Sequence, residues 1–207
     1  LAANGLQVYL TDDYLPTPAL SFAVKHVGAD GGVMLTASHN PSIWNGFKLK
    51  GAYGGSASDT TYRSVAELAG HLRAEDVAHA GSGRDTVERL DIRSAYYDAL
   101  ASLIDLDVIA RAGAPILHDA MGGAAAGWLE GFFRYVGLPE ALVELRERPD
   151  PLFHGVHPEP IPANLAATAE RMTEEHGTPL FAVATDGDGD RLGVVLPGGA
   201  FFNSHQI

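Results

Sequence analysis

No cysteine occurs among the 207 residues. That absence excludes disulfides, thiolate-ligated zinc and thiol nucleophiles, and it is compatible with a reducing, cytoplasmic setting. Basic residues are scarce: 14 Lys and Arg stand against 26 Asp and Glu, a formal net charge of -12. Such a balance argues against a general nucleic-acid binder, which carries a basic footprint. It leaves phosphorylated ligands open, because local charge decides their binding. There is no run of 18 apolar residues, so no membrane-crossing helix is expected. Nor does a basic-then-apolar signal segment open the chain. What is present is ordinary globular material, 46% hydrophobic and 19% charged. It suffices for a core in each of two domains of about 100 residues.

Short apolar runs alternate with amphipathic helical patterns, the rhythm of an α/β fold. Strands are predicted over residues 7–10, 32–35, 46–50, 115–118, 142–145, 181–184 and 192–196. Thr17 is expected to cap a helix with Pro18 in its first turn, burying Leu20, Ala23, Val24 and Val27 and ending at Gly28. Further helical faces are Tyr62, Val65, Ala66, Ala69 and Leu72; Tyr96, Tyr97, Leu100 and Leu103; and Ala125, Leu129, Phe132, Phe133 and Val136, closed by Gly137. Leu165, Ala169 and Met172 form a last face, with Gly177 at its end. Residues 78–91 turn polar, and the domain boundary is placed close after them, giving domains 1–91 and 92–207. Leu1 is not an initiator methionine, and both ends read as though a domain continues, so a fragment is expected.

Between the last two strands lies TDGDGDR. Asp186, Asp188 and Asp190 alternate with Gly187 and Gly189. Extended i, i+2, i+4 side chains share a face, and a glycine-permitted turn can also bring them to one point. Two unit charges about 4 Å apart cost about 4 kcal/mol at an effective dielectric near 20, so such a cluster calls for a cation. Hard oxygen ligands suit Mg²⁺ or Ca²⁺. An EF-hand starting at Asp186 would need Gly and Glu where Arg191 and Pro197 stand, and it is rejected. The alternative is a solvated acidic turn built on Asp–Gly chemistry. The apolar strands on either side and the adjacent Arg191 favour a site.

A second loop, TASHNP at residues 36–41, leaves an apolar strand. Ser38 sits at the strand-to-loop junction, exposed on a rigid element, as a nucleophile or phosphate carrier should be. The G-x-S-x-G pattern is absent, which weakens a hydrolase triad. His39 reads either as a site residue or as a loop-stabilising side chain, and Asn40 as a turn-former. Lys48, on the next strand, either reaches back to the serine loop or faces solvent. His154 and His157 lie in a proline-rich loop with no third ligand apparent and are read as structural.

Together TASHNP, NGFK at 45–48, HPEP at 157–160 and DGDGDR at 186–191 resemble the α-D-phosphohexomutase family, which includes phosphoglucomutases and phosphomannomutases. Their order and spacing agree with the family's first and second domains. The resemblance implies two successive α/β domains with mixed sheets sandwiched by helices. It implies a phosphoserine at Ser38 and Mg²⁺ held by Asp186, Asp188, Asp190 and a phosphate oxygen of Ser38. Lys48 would be the general acid/base, Arg191 would contact the phosphoryl region or orient the base, and His39 joins the candidate catalytic set. The implied reaction interconverts hexose 1- and 6-phosphates through a bisphosphorylated sugar, with glucose 1,6-bisphosphate as activator. GAYGGSA and the lack of an acidic tail point to the glucose or mannose group rather than a glucosamine-phosphate mutase.

Physics fits that expectation. A phosphoserine carries about -1.5 to -2 charges, which a divalent cation would neutralise. Ser38 and Asp186 are 148 positions apart, so they are expected to meet in a cleft between the two domains. The family's N-terminal Gly/Arg segment and its third and fourth domains are lacking here, so this stretch alone is expected to be inactive. The competing readings are a non-catalytic metal- or phosphate-binding module and a phosphatase-like hydrolase.

Overall fold

The computed structural model describes residues 1–76, 87–173, 179–203 and 205–206. Its front half holds β1 (Val8–Thr11), α1 (Thr17–His26), β2 (Gly31–Leu35), β3 (Phe47–Gly51), α2 (Asp59–His71) and β4 (Val87–Leu90). The back half holds α3 (Arg93–Ala101), α4 (Leu106–Ala110), β5 (Ile116–Asp119), α5 (Trp128–Tyr135), β6 (Leu142–Leu145), α6 (Ala166–Arg171), β7 (Ala182–Thr185), β8 (Leu192–Leu196) and β9 (Ala200–Phe202). Mixed α/β architecture is thus observed.

The back half is one five-stranded sheet, order β6-β5-β7-β8-β9. β5 pairs β6 and β7 in parallel, and β8 and β9 return antiparallel. A parallel pair needs a crossover, and α5 supplies it between β5 and β6. In the front half β1 pairs β4 in parallel, and β2 pairs β3 antiparallel. Both chemistry-bearing loops therefore sit at the same kind of place. TASHNP lies between β2 and its antiparallel partner β3, and DGDGDR between β7 and β8.

One buried cluster runs through both halves: Leu15, Ala19, Ala23 and Met34 pack with Ile92, Tyr97, Trp128, Phe132, Phe133 and Leu142. A second, around Leu117, Met121, Leu165, Met172, Ala184 and Val195, lies under the back sheet. Trp128 stitches the first. Its Nε1 donates to the Tyr14 carbonyl at 3.1 Å, its carbonyl accepts from Tyr97 Oη at 3.0 Å, and the Arg93 guanidinium lies 4.2 Å above its ring.

Several expectations are corrected. Thr17 is the first residue of α1 and Pro16 is its N-cap, because the Thr17 hydroxyl is drawn to Asp188. The face assigned to α2 is only partly covered: Tyr62 and Val65 are half-buried, none of its residues is fully buried, and Leu72 beyond it is exposed. Leu103 is 82% exposed, since α3 stops at Ala101 before its turn reaches the core. The polar stretch contains β4, which pairs with β1 in parallel and sends Leu90 against the buried cluster. α4 and β9 were not anticipated. Gly177 lies outside the described residues. Among those residues no helix is long and apolar enough to cross a membrane.

Trp128→Ala is expected to lower unfolding free energy by about 3–5 kcal/mol, read by urea titration, while Trp128→Phe keeps most of it. A loss below about 1 kcal/mol would show that this ring does not hold the two halves.

Candidate active site

Ser38 leaves β2 in a left-handed conformation, φ 54°. A non-glycine residue pays about 1–3 kcal/mol for such backbone. Its N–H donates to Thr36 Oγ1 at 2.7 Å. Asn40 closes the turn behind it, backbone and side chain both donating to the Ala37 carbonyl, which is the turn-forming role expected of it.

The opposing acidic loop is tied down by its own backbone. Asp186 Oδ1 accepts from the N–H groups of Asp190 and Arg191, both at 3.0 Å. Gly187 N–H donates to the Pro158 carbonyl, so HPEP braces the loop, and the Gly187 carbonyl accepts from Ala124 N–H. Glycine is required at 187 by closeness: a Cβ there would lie 2.4 Å from the Ser38 carbonyl oxygen. The two loops touch through that gap in side-chain volume.

At the junction, Ser38 Oγ lies 3.1 Å from Asp186 Oδ2 and 3.2 Å from Asp188 Oδ1. Lys48 Nζ is 3.3 Å from Ser38 Oγ and pairs with Asp188 at 2.7 Å and Asp190 at 2.6 Å. Thr17 Oγ1 donates to Asp188 Oδ2 at 2.9 Å, and Thr17 N–H donates to the Asp188 carbonyl. Asp186 and Asp188 are 0% and 2% exposed. One oxygen from each of the three carboxylates falls within a 4.8 Å span. Oxygens around Mg²⁺ at about 2.1 Å lie up to about 4.2 Å apart, so little movement would bring these into one coordination sphere. The donor set is all hard oxygen, and it fits such an ion.

Electrostatics point the same way. Burial, and then the neighbouring Asp188 charge, push the Asp186 carboxyl up to about 6, against the lowering effect of the Arg191 N–H. Burial acts upward on Asp188 too, but hydrogen bonds from Lys48 and Thr17 outweigh it and hold Asp188 below the usual carboxylate range. Burial acts downward on Lys48, and its pairing with Asp188 and Asp190 more than offsets that, leaving its pKa raised. A lysine that accepts a proton near neutral pH is served by lowered basicity. Here the ammonium is itself the cation among the acids, and direct ion pairs explain the difference.

The structure thus brings together Ser38, Lys48, Asp186, Asp188 and Asp190. His39 is half-buried beside Ser38, and its Nδ1 has no hydrogen-bond partner among the described residues, so no loop-stabilising bond is made there. Arg191 enters through its backbone, with its side chain exposed. His154 Nε2 meets the Arg148 carbonyl and His157 lies near Asn164 and Glu159, and neither joins the cluster of Asp186, Asp188 and Asp190. Sequence reasoning missed Thr17 and Thr36. Thr17 sits before a helix-starting proline and resembles an ordinary cap, and its partner is 171 positions away.

With this geometry described, likeness to known proteins is informative. The profile of phosphoglucomutase/phosphomannomutase α/β/α domain I matches residues 1–75, and that of domain II matches residues 94–199. A Staphylococcus haemolyticus phosphoglucomutase is 30% identical over 204 residues, covering 94% of this chain and 36% of that protein. A Salmonella typhimurium phosphomannomutase is 31% identical over 198 residues, covering 92% of this chain and 42% of that protein. The crystal structure of a Thermus thermophilus protein assigned as a phosphomannomutase superposes with a TM-score of 0.88 at 49% identity, covering 99% of this chain and 45% of that one. The chain spans less than half the length of each of these relatives. It belongs to the phosphoglucomutase/phosphomannomutase family, the α-D-phosphohexomutases.

Proposed function

We propose that this chain is the phosphoserine- and metal-bearing part of a phosphohexomutase that interconverts hexose 1-phosphate and hexose 6-phosphate, with glucose or mannose as the sugar. The observation that supports it most is Ser38 Oγ within 3.1–3.2 Å of two buried aspartates from the other half of the chain. On this reading residues 1–91 and 92–207 are its first and second domains, and the site lies in the cleft between them. The remaining length seen in the relatives would grip the sugar and its second phosphate, and residues 1–207 alone would bind without turning substrate over.

Asp186, Asp188 and Asp190, with an oxygen of phosphorylated Ser38, would hold Mg²⁺. When bound, that ion neutralises phosphoryl charge and polarises the P–O bonds. The chain's own residues do the rest, because phosphoryl transfer needs mainly positioning and charge stabilisation. Thr36 and the strained turn present Ser38. The Ser38 Oγ–P bond breaks as a sugar hydroxyl oxygen bonds to phosphorus, and the hydroxyl proton passes to Lys48 Nζ, which must first have given up the proton it holds in its ion pairs with Asp188 and Asp190. In the return step Ser38 Oγ takes the other phosphoryl group from the bisphosphorylated sugar, glucose 1,6-bisphosphate when glucose is the substrate, and the sugar oxygen that leaves phosphorus takes a proton from Lys48 Nζ. Arg191, exposed at the loop's end, would meet the phosphoryl group from the open side, and His39 would approach it beside Ser38.

Intact mass with and without phosphatase is expected to show one labile phosphate, mapped to Ser38 and absent from Ser38→Ala. In the complete enzyme, Asp188→Ala should lower the glucose 1-phosphate to glucose 6-phosphate rate by on the order of a hundredfold or more. Undiminished turnover, or release of free phosphate in place of isomerised sugar, would refute the mutase reading. Lys48→Met removes a charge that competes for Asp188 and Asp190. It should tighten Mn²⁺ binding by about three- to tenfold while turnover falls, and weaker binding would contradict the competition.

A further inference from the structure

Beneath the acidic loop the back sheet carries polar groups that the proposed chemistry does not use. His118, on β5 between β6 and β7, is fully buried. Directly across the parallel register stands Glu144 on β6, whose side chain is 2% exposed. His118 Nδ1 lies 3.0 Å from Glu144 Oε1, which also accepts from Gly127 N–H at 3.0 Å where α5 begins. The other ring nitrogen, Nε2, lies 3.1 Å from Thr185 Oγ1. Thr185 is the last residue of β7, and Asp186 follows it.

We propose that His118 and Glu144 are positioning residues of the acidic loop, acting through Thr185 to fix the direction in which the chain enters Asp186. The proposal rests on the reading of that loop as a divalent-cation site and adds to it the shell of groups that aims the ligands. A buried His–Glu pair is a poor source of stability, because desolvation offsets its attraction and apolar side chains serve a sheet interior as well. This pair also leaves Glu144 Oε2 buried without a partner among the described residues, a further cost. Its return is geometric. With Nδ1 engaged by Glu144, the ring cannot rotate, and Nε2 stays aimed at the Thr185 hydroxyl. Ala124 and Pro158 hold Gly187 from its two sides, so the Thr185 anchor leaves the segment between β7 and Asp188 little freedom. The neighbouring residue contributes in parallel. Asp119 binds Arg146, Thr168 and Met121 N–H, holding the turn that carries Ala124.

The test measures cation binding directly, as loss of the free Mn²⁺ electron paramagnetic resonance signal, in protein of one verified Ser38 phosphorylation state. Thr185→Val keeps the side chain's shape and removes its hydroxyl, and Thr185→Ser restores the hydroxyl. Thr185→Val should weaken Mn²⁺ binding about tenfold, and Thr185→Ser should stay within about twofold of the parent. His118→Leu should weaken it by a similar factor and add nothing on the Thr185→Val background, since the two act as one chain. Melting temperatures in EDTA accompany each variant. A lower Tm for Thr185→Val with parental Mn²⁺ affinity means a structural role only and overturns the proposal, whether or not His118→Leu folds. A parent protein without saturable Mn²⁺ binding that Asp188→Ala abolishes overturns the metal reading itself, and that failure is visible before any Thr185 variant is measured.

Discussion

Two carboxylates with almost no exposure, Asp186 and Asp188, face one serine hydroxyl, and the rest of the architecture is answerable to that repulsion. A buried carboxylate without compensation protonates or draws a cation. Asp186 is met by two backbone N–H groups and still sits at about 6. Asp188 is met by Thr17 and Lys48 and drops below its usual range. Adjacent acids of one loop are thus pushed in opposite directions by their partners. Adding a phosphate to Ser38 would increase the negative charge further. Lys48 sets one positive charge against three carboxylates, and the all-oxygen donor set that remains fits a divalent cation.

Bringing the loops to contact is a packing problem as much as an electrostatic one. A side chain at 187 would strike the Ser38 carbonyl, and one at 123 would come within 2.6 Å of the Gly187 carbonyl. Three layers of backbone are stacked there, and glycine permits the stacking. The apolar cluster through Met34, Tyr97, Trp128 and Phe132 supplies the force that presses the halves together. Thr17 joins the two tasks: it begins α1, whose Ala19 and Ala23 enter that cluster, and its hydroxyl and N–H both bind Asp188.

Much of this was legible in the sequence where the signal is local. The strands over 142–145 and 192–196 agree with β6 and β8 to the residue, because turn formers bound apolar runs on both sides. The serine and acidic loops stood out because their residue types are costly anywhere but a site. What escaped depends on distant partners. A sequence pattern marks α2 as amphipathic but cannot say whether anything covers it. Thr17 reads as a helix cap until Asp188 is seen beside it. His118 looked like the end of a short apolar strand, and only the register with Glu144 and the adjacency of Thr185 show a connected polar chain. The raised basicity of Lys48 was equally hidden, since it follows from acids 140 and more positions away.

That lysine shows why the site must be read as a set of competing ion pairs. Lys48 is paired across the hairpin with Met34, and directly opposed residues of an antiparallel pair point to one face. Met34 is buried in the cluster that includes α1 residues, so Lys48 is carried toward the side where α1 begins and Asp188 waits. There it stabilises the acids as a counter-ion, which raises its pKa and makes it a poor proton acceptor. On the proposed reading a divalent ion and Lys48 want the same oxygens. Were Asp188 and Asp190 to hold such an ion, Lys48 would lose the contacts that keep its ammonium protonated and would face a like charge nearby. Both changes lower the basicity of the amine 3.3 Å from Ser38 Oγ. Proton acceptance at Lys48 would therefore be tied to loading of the acidic loop, and the same salt bridges that stabilise this arrangement would keep the base out of action until the charge balance of the site is right for phosphoryl transfer.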